Sequence, residues 1–168
     1  MALGPVAFDE MNLPGGVPRD AYAKLHEWLK QVPPGLLATR SKEAEAMFRR
    51  IGITFAVYGD AAATERLIPF DVIPRILNAA EWSLLSKGLE QRVKAINAFL
   101  GDVYFKRDVL RAGIVPEDLV YRNPAFRPEM NQQAVPHGLY VMIAGIDIVR
   151  VDGDTFYVLE DNARTPSG

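Results

Sequence analysis

The sequence predicts an α/β protein, α+β in detail, with a helical N-terminal half followed by a mixed or antiparallel sheet. Two observations carry this prediction. Apolar residues recur at intervals of three and four along three segments of the first 106 residues, which is the period of amphipathic helices. Two apolar runs then flank the turn sequence Asp152-Gly153-Asp154, a pattern typical of a β-hairpin.

Three amphipathic helices are expected, at residues 19–32, 41–50 and 79–106. The first should end before Pro33, because proline cannot continue a helix. Gly52 is the expected stop of the second helix, since glycine readily adopts the left-handed conformation found at helix ends. Asn78, with Glu81 three residues later, forms a capping-box-like start for the third helix.

The remaining segments are expected to be strands and loops. Residues 53–60 are rich in β-branched and aromatic residues and predict a short buried strand. Two prolines keep residues 67–77 out of a long helix or a central strand, and four prolines make residues 113–136 a loop-rich connection. Residues 1–18, rich in Gly and Pro, predict a flexible arm, and residues 19–168 a single domain.

Composition excludes several classes of function. The chain has 19 basic and 21 acidic residues, a net charge of -2, and no Lys/Arg-rich block, so nucleic acid is not an expected partner. It has no cysteine, which excludes disulfides, thiolate metal sites and a cysteine nucleophile. The N-terminus lacks a basic region and meets Asp9 and Glu10 early, so it is a poor signal peptide, and no apolar run of about 18 residues occurs. A soluble cytoplasmic protein without a membrane partner is therefore expected.

The hairpin geometry decides whether three polar side chains can meet. If Asp152-Gly153 is a two-residue turn, Asp147 lies diagonal to Glu160. If Gly153-Asp154 is the turn, Asp147 lies directly opposite Glu160, with about 4.5–5.5 Å between their Cβ atoms. Either register places Asp147, Glu160 and Asn162 on one face of the hairpin, whereas a slip of one residue would separate them.

Two carboxylates this close need a compensating charge. At about 5 Å they repel by roughly 3 kcal/mol at an effective dielectric constant near 20, and the neighbours of Asp147 in sequence suggest a buried strand. Arg164 could pair with the acids, but a divalent cation satisfies two carboxylates and an amide oxygen better. A donor set of oxygens alone favours Mg²⁺. The alternative is a solvated hairpin end without a metal.

Several phrases of the sequence resemble a known family. Asp147, Glu160, Asn162 and Arg164 have the spacing of the magnesium-binding end of ATP-grasp ligases. LEDNARTPSG is similar to the metal hairpin of glutathionylspermidine synthase. YGDAAATERLIPFDVIPRIL, EWSLLSKGLEQRVKAINAFLGDVY and GIDIVR resemble the N-terminal part of the circularly permuted ATP-grasp proteins related to that synthase. The resemblance covers residues 53–168.

The resemblance implies roles for individual residues. Asp147, Glu160 and Asn162 would bind Mg²⁺, Asn162 and Arg164 would contact ATP, and Arg164 would act catalytically on the transferred phosphoryl group. A polar stretch that the family also shows would either line the substrate side or hold loop structure: Tyr58, Asp60, Glu65, Arg66, Asp71 and Arg75.

The implied function is the N-terminal, Mg²⁺-binding portion of an ATP-dependent carboxylate–amine ligase that acts through an acyl phosphate. Its partners would be ATP and a carboxylate, amine or peptide-like substrate. The family continues beyond its metal hairpin into the ATP clamp, so we expect this chain to be the leading part of a longer protein, inactive alone and completed by a downstream domain or a partner chain. The alternative is a non-catalytic interaction or regulatory module that retains the fold.

Overall fold

The computed structural model describes residues 8–55, 66–67 and 70–166. These residues form two compact units. The helical unit runs from Asp9 to Asn78, and the hairpin unit comprises residues 79–166 together with Phe8. Across the described residues, helices combine with two antiparallel sheets of two strands each. The predicted mixture of helices and antiparallel strands is therefore confirmed.

The helical unit follows the predicted order of elements. The unit begins with a short 3₁₀ helix, Asp20–Tyr22. The elements that follow are α1 (Ala23–Gln31), α2 (Leu36–Ile51), β1 (Thr54–Phe55) and β2 (Arg66–Leu67). β1 and β2 pair antiparallel. The first two predicted helices are confirmed, although α2 begins at Leu36 and not at residue 41. Of the strand expected over residues 53–60, positions 56–60 lie outside the described residues.

Gly52 ends α2 as expected. Its φ of 77° is left-handed, and the N–H groups of Gly52 and Ile53 donate to the carbonyls of Arg49 and Phe48 at 3.3 and 2.9 Å. These two bonds form a Schellman motif, which satisfies carbonyls that the last helical turn leaves without partners. A residue with a side chain would be strained at this position.

The beginning and end of the helical unit are held together by polar contacts. Tyr22 is buried, and its hydroxyl accepts a hydrogen bond from the N–H of Ile76 at 2.9 Å. The carboxylate of Glu10 pairs with Arg75 at 2.5 and 2.8 Å. Residues 9–18 belong to this unit and include a hydrogen-bonded turn, Leu13 N–H to Val17 O at 2.7 Å. The division into an arm and a domain at residue 18 stays a prediction.

A long helix organises the hairpin unit, whose elements are α3 (Ala79–Tyr104), α4 (Asp108–Arg111), α5 (Glu117–Tyr121), β3 (Gly145–Arg150) and β4 (Phe156–Asn162). α3 starts directly after Asn78 and ends two residues before the predicted boundary. Short helices interrupt the connection over residues 108–138, which is otherwise irregular, as its prolines predict. β3 and β4 form the expected antiparallel hairpin.

The core of the hairpin unit lies along α3. Leu85, Val103 and Tyr104 are buried on this helix. The Tyr104 ring stacks on Phe126 and on Tyr140, with centroids 5.5 and 5.7 Å apart. This stacking attaches the irregular connection to the end of α3.

Asn97 attaches the chain to α3 shortly before β3 begins. Its Oδ1 accepts hydrogen bonds from the N–H groups of Tyr140 and Val141 at 2.7 and 2.9 Å, and its Nδ2 donates to the Val141 carbonyl at 3.3 Å. An amide can satisfy a donor and an acceptor of the same extended segment, which an apolar side chain cannot. No helix in the described part of the chain is long and apolar enough to cross a membrane.

One glycine inside a helix and one at a helix end allow a matched stability test. A Cβ at Gly88, in the interior of α3, would meet no atom within 4 Å, so Gly88→Ala should raise the free energy of unfolding by about 1 kcal/mol through helix propensity. Gly52→Ala should lower it by about 1 kcal/mol, because φ is 77°. Urea unfolding followed by circular dichroism measures both. A destabilised Gly88→Ala variant would contradict this assignment of α3.

Candidate functional site

A three-residue loop closes the β3–β4 hairpin. Arg150 lies opposite Phe156, and the Val151 N–H donates to the Thr155 carbonyl at 3.0 Å. The loop is therefore Asp152 to Asp154, and both predicted two-residue turns are wrong. The physical reason is the Asp152 side chain, whose Oδ1 accepts the N–H groups of Asp154 and Thr155 at 3.0 and 2.9 Å. These bonds, first the one from Asp154, lower the pKa of Asp152.

A β-bulge at Leu159 corrects the register. Continued regularly from the loop, the ladder would pair Asp147 with Leu159 and separate the predicted ligands. Instead Ile148 pairs with Val158 and Asp147 pairs with Glu160, which leaves Leu159 as the extra residue on β4. The predicted pairing of Asp147 directly opposite Glu160 is thus confirmed, although a different turn and a bulge produce it.

The bulge brings the three predicted ligands together on one face. Asn162 pairs with Gly145, and its Nδ2 donates to Asp147 Oδ2 at 3.4 Å and to Glu160 Oε1 at 3.1 Å. One amide group therefore lies between two carboxylates. The expectation that Asp147 is buried is wrong, because this face of the hairpin is exposed and all three side chains reach solvent.

The other face of the hairpin packs against α3. Ile148, Phe156 and Val158 line a groove of about 580 Å³ together with Leu85 and Gly88 of the helix. Phe156 and Val158 are even-numbered residues of β4 and precede the bulge. The apolar side chains of the hairpin therefore face α3 across this groove.

Arg150 anchors the loop end of the hairpin to the start of α3. It stands three residues from Asp147 and therefore points to the opposite face, where its side chain is 3% exposed. Its Nη2 pairs with Glu81 at 2.5 Å, and its Nε donates to the carbonyls of Asp152 and Gly153, both at 3.1 Å. The guanidinium also lies over the ring of Phe156, 5.1 Å from its centroid.

Asp161 anchors the other end, and sequence reasoning missed it. It stands between Glu160 and Asn162 and points to α3, where Arg92 binds it through three contacts of 2.7 to 2.9 Å. The hydrogen bonds from Arg92 hold the pKa of Asp161 below its usual value, and the same contact raises the pKa of Arg92. The available signal was alternation, since an acid between two same-face ligands must point the opposite way.

Comparison with known proteins places the chain in a family. The model of a circularly permuted ATP-grasp matches residues 74–168, which include α3 and the whole hairpin. The chain belongs to the circularly permuted ATP-grasp family. An uncharacterized protein of Synechocystis is 40% identical over 161 residues, 96% of this chain and 34% of that protein.

Other relatives match nearly the whole chain. An uncharacterized protein of Mycobacterium tuberculosis is 37% identical over 163 residues, 97% of this chain and 29% of the relative. A putative glutamate–cysteine ligase of Frankia casuarinae is 40% identical over 164 residues, 98% of this chain and 19% of the relative. The chain thus spans about a third or less of the length of these relatives.

The donor set of this ATP-grasp hairpin suits a hard divalent cation. Among the described residues, no group of three or more His, Cys, Asp or Glu side chains is arranged to hold a metal ion. Asp147 and Glu160 supply two carboxylates, and Asn162 adds an amide whose oxygen can replace its nitrogen by a half-turn. Two carboxylates suffice for Mg²⁺ when water and phosphate oxygens complete its coordination. The residues present therefore fit the ion.

Arg164 lies two residues beyond the end of β4. It borders a concave region with Tyr140, Met142 and Pro166, and it makes no hydrogen bond or ion pair with the described residues. The alternative in which Arg164 neutralises the two acids is therefore not observed. Its contact with phosphate, and its catalytic role, remain predictions.

The predicted substrate-side residues belong to the other unit. Tyr58, Asp60 and Glu65 lie outside the described residues, and Arg66 is described only through its backbone in β2. Asp71 accepts the N–H of Ile73 at 2.9 Å, which is the contact of a local turn. Arg75 pairs with Glu10, as described above. Both contacts hold loop structure, and a role in substrate binding stays a prediction.

The buried anchor generates a stability prediction. Arg150→Met should lower the free energy of unfolding by about 3 kcal/mol, because the buried guanidinium that binds Glu81 and two carbonyls is removed. The double variant Arg150→Met/Glu81→Leu should be less destabilised than Arg150→Met, since the carboxylate that faces the guanidinium is removed with it.

Denaturant unfolding measures this cycle. Lys94→Met is the control, because the pair of Lys94 with Glu90 on the same helix is exposed and should change stability by no more than about 0.5 kcal/mol. Additive effects of the Arg150 and Glu81 substitutions would show that the pair is not coupled.

Proposed function

We propose that this chain is the N-terminal, Mg²⁺-binding portion of an ATP-dependent carboxylate–amine ligase that works through an acyl phosphate. The observation that carries the proposal is the convergence of Asp147 and Glu160 on the amide of Asn162, within the segment that the permuted ATP-grasp family matches. The names of relatives add support, since a putative glutamate–cysteine ligase would join a carboxylate to an amine.

The position of the Asn162 amide supports a cation at this point. Its nitrogen carries the positive end of the amide dipole and lies within 3.4 Å of both carboxylates. Because both carboxylates point at this nitrogen, their negative charge is concentrated at one place on the exposed face, where a hydrated Mg²⁺ can enter without crossing the apolar groove. Asp147, Glu160 and Asn162 would hold Mg²⁺ there, and the ion would supply positive charge to offset that of the ATP phosphates.

The reaction proposed for the complete enzyme has two steps. A carboxylate oxygen of the substrate attacks the γ-phosphorus of ATP, the bond to the β–γ bridging oxygen breaks, and ADP leaves. The amine nitrogen then attacks the acyl carbon, inorganic phosphate leaves, and the nitrogen gives up a proton to form the amide. In this chain Asp147, Glu160 and Asn162 would orient the nucleotide phosphates, and Arg164 would stabilise charge on the transferred phosphoryl group.

Further parts of the proposal rest on resemblance. The ATP clamp would come from a downstream domain or a partner chain, in keeping with the greater length of the relatives. A closer relation to glutathionylspermidine synthase, and a substrate-side role for residues 58–75, belong to the same proposal. The competing possibility, a non-catalytic module, differs by binding neither a divalent cation nor a nucleotide at the hairpin.

Cation binding can be tested on the chain itself. Mn²⁺, a paramagnetic substitute for Mg²⁺, should broaden the NMR signals of Asp147, Glu160 and Asn162 most strongly and other signals less with increasing distance, and Asp147→Asn should abolish that broadening. Asp118→Asn is the matched control, because it removes an exposed carboxylate from α5. If Mn²⁺ leaves these three signals no broader than the rest, the proposed cation site does not exist.

Catalysis can be tested in a chain as long as the relatives. There, Glu160→Ala or Asn162→Ala should reduce ATP-dependent amide formation about a hundredfold or more while circular dichroism stays unchanged. The fold should survive because both side chains are exposed. Unaltered turnover in either variant would refute the ligand assignment, and absence of any nucleotide-dependent activity would favour the non-catalytic module.

A further inference from the structure

Two sets of β4 side chains face the same helix, one at even-numbered positions and the other at an odd-numbered position. Phe156 and Val158, before the bulge, are even-numbered and face α3. Asp161, after the bulge, is odd-numbered and also faces α3, where it binds Arg92. Side chains alternate along a strand, so both sets can face one helix only if one extra residue lies between them. Leu159 is that residue, and its 69% exposure fits a position outside the ladder.

The competing register is well defined. Without the bulge, Leu159 would lie opposite Asp147, and Glu160 would turn to the α3 side, where Arg92 could bind it in place of Asp161. The cation site would then exchange Glu160 for Asp161 and lose Asn162 to the α3 side, and in a chain without the Asp161 carboxylate it would lose one of its two carboxylates. Asp161 and Glu160 are therefore competitors for the same guanidinium, separated by one position along the strand.

We infer that Asp161 is a positioning residue of the cation site: by occupying Arg92 it holds the bulge at Leu159 and keeps Glu160 on the face of Asp147. Its importance for cation binding rests on the proposed function, whereas its control of the register does not. Asp161 suits the role because its side chain is only 21% exposed and Arg92 grips both of its oxygens.

The register is measured directly by cross-strand nuclear Overhauser effects in this chain. In the unaltered protein Asp147 should show contacts to Glu160. In Asp161→Ala these should weaken and contacts from Asp147 to Leu159 should replace them. Lys94→Ala, which removes an exposed ion pair from the same helix, is the matched control and should keep the original contacts.

Deletion of Leu159 should reverse the register shift expected in Asp161→Ala. It removes the extra residue, so a regular ladder places Glu160 opposite Asp147 and Asp161 on the α3 side without any bulge. Combined with Asp161→Ala, the deletion should restore the contact between Asp147 and Glu160. If Asp161→Ala is too unstable to examine alone, this double variant and Asp161→Asn, which retains a weaker partner for Arg92, give the same comparison.

Mn²⁺ affinity separates this inference from the proposed function. Asp161→Ala should raise the Mn²⁺ dissociation constant about tenfold or more, and the Leu159 deletion should recover most of that loss. An unchanged register in Asp161→Ala overturns the inference, as does a shifted register with unchanged affinity. If Asp147→Asn itself leaves Mn²⁺ binding intact, the proposed cation site fails, and the register data still decide the role of Asp161.

Discussion

The geometry of the candidate site depends on β4, whose side chains facing α3 cannot all follow strict alternation along the strand. The strand must present Phe156 and Val158 to α3 at one end and Asp161 to the same helix at the other, and strict alternation cannot do both. The bulge at Leu159 resolves the conflict. As a result Glu160 and Asn162 face away from the helix, and Asp147 meets them across the hairpin. Packing on one face thus determines which side chains are available on the other.

Two ion pairs align the hairpin along α3. Glu81 and Arg92 are 11 positions apart, which places them about 20° from each other around the helix and about 16 Å apart along it. Their partners, Arg150 and Asp161, lie at opposite ends of a hairpin segment about 13 Å long. The two ion pairs are therefore separated by similar distances along the helix and along the hairpin. The apolar groove lies between them.

The sequence predicts the elements well, because their signals are local. The period of apolar residues places α3 within two residues of its observed end, and the Asp-Gly-Asp turn marks the hairpin. It gives the observed pairing of Asp147 with Glu160 as one of two alternatives, but it predicts neither the three-residue loop nor the bulge, which lies next to a contact between Asp161 and Arg92, 69 residues away in the chain. Burial of Asp147 was wrong for a related reason. Its neighbours Ile146 and Ile148 alternate to the opposite face, so an apolar run indicated a buried face and not a buried strand.

One face of the hairpin contributes to stability, and the other carries the proposed ligands. Arg150, nearly inaccessible to solvent, is bound by an acid, two carbonyls and an aromatic ring, so its contacts contribute strongly to the fold. Asp147 and Glu160 are exposed, and water screens two carboxylates at about 4 Å to roughly 1 kcal/mol of repulsion. A repulsion this small does not require a bound cation for the hairpin to form. The helix behind the hairpin therefore preorganises the face that carries Asp147 and Glu160, and under the proposed function a cation would meet both carboxylates already in place.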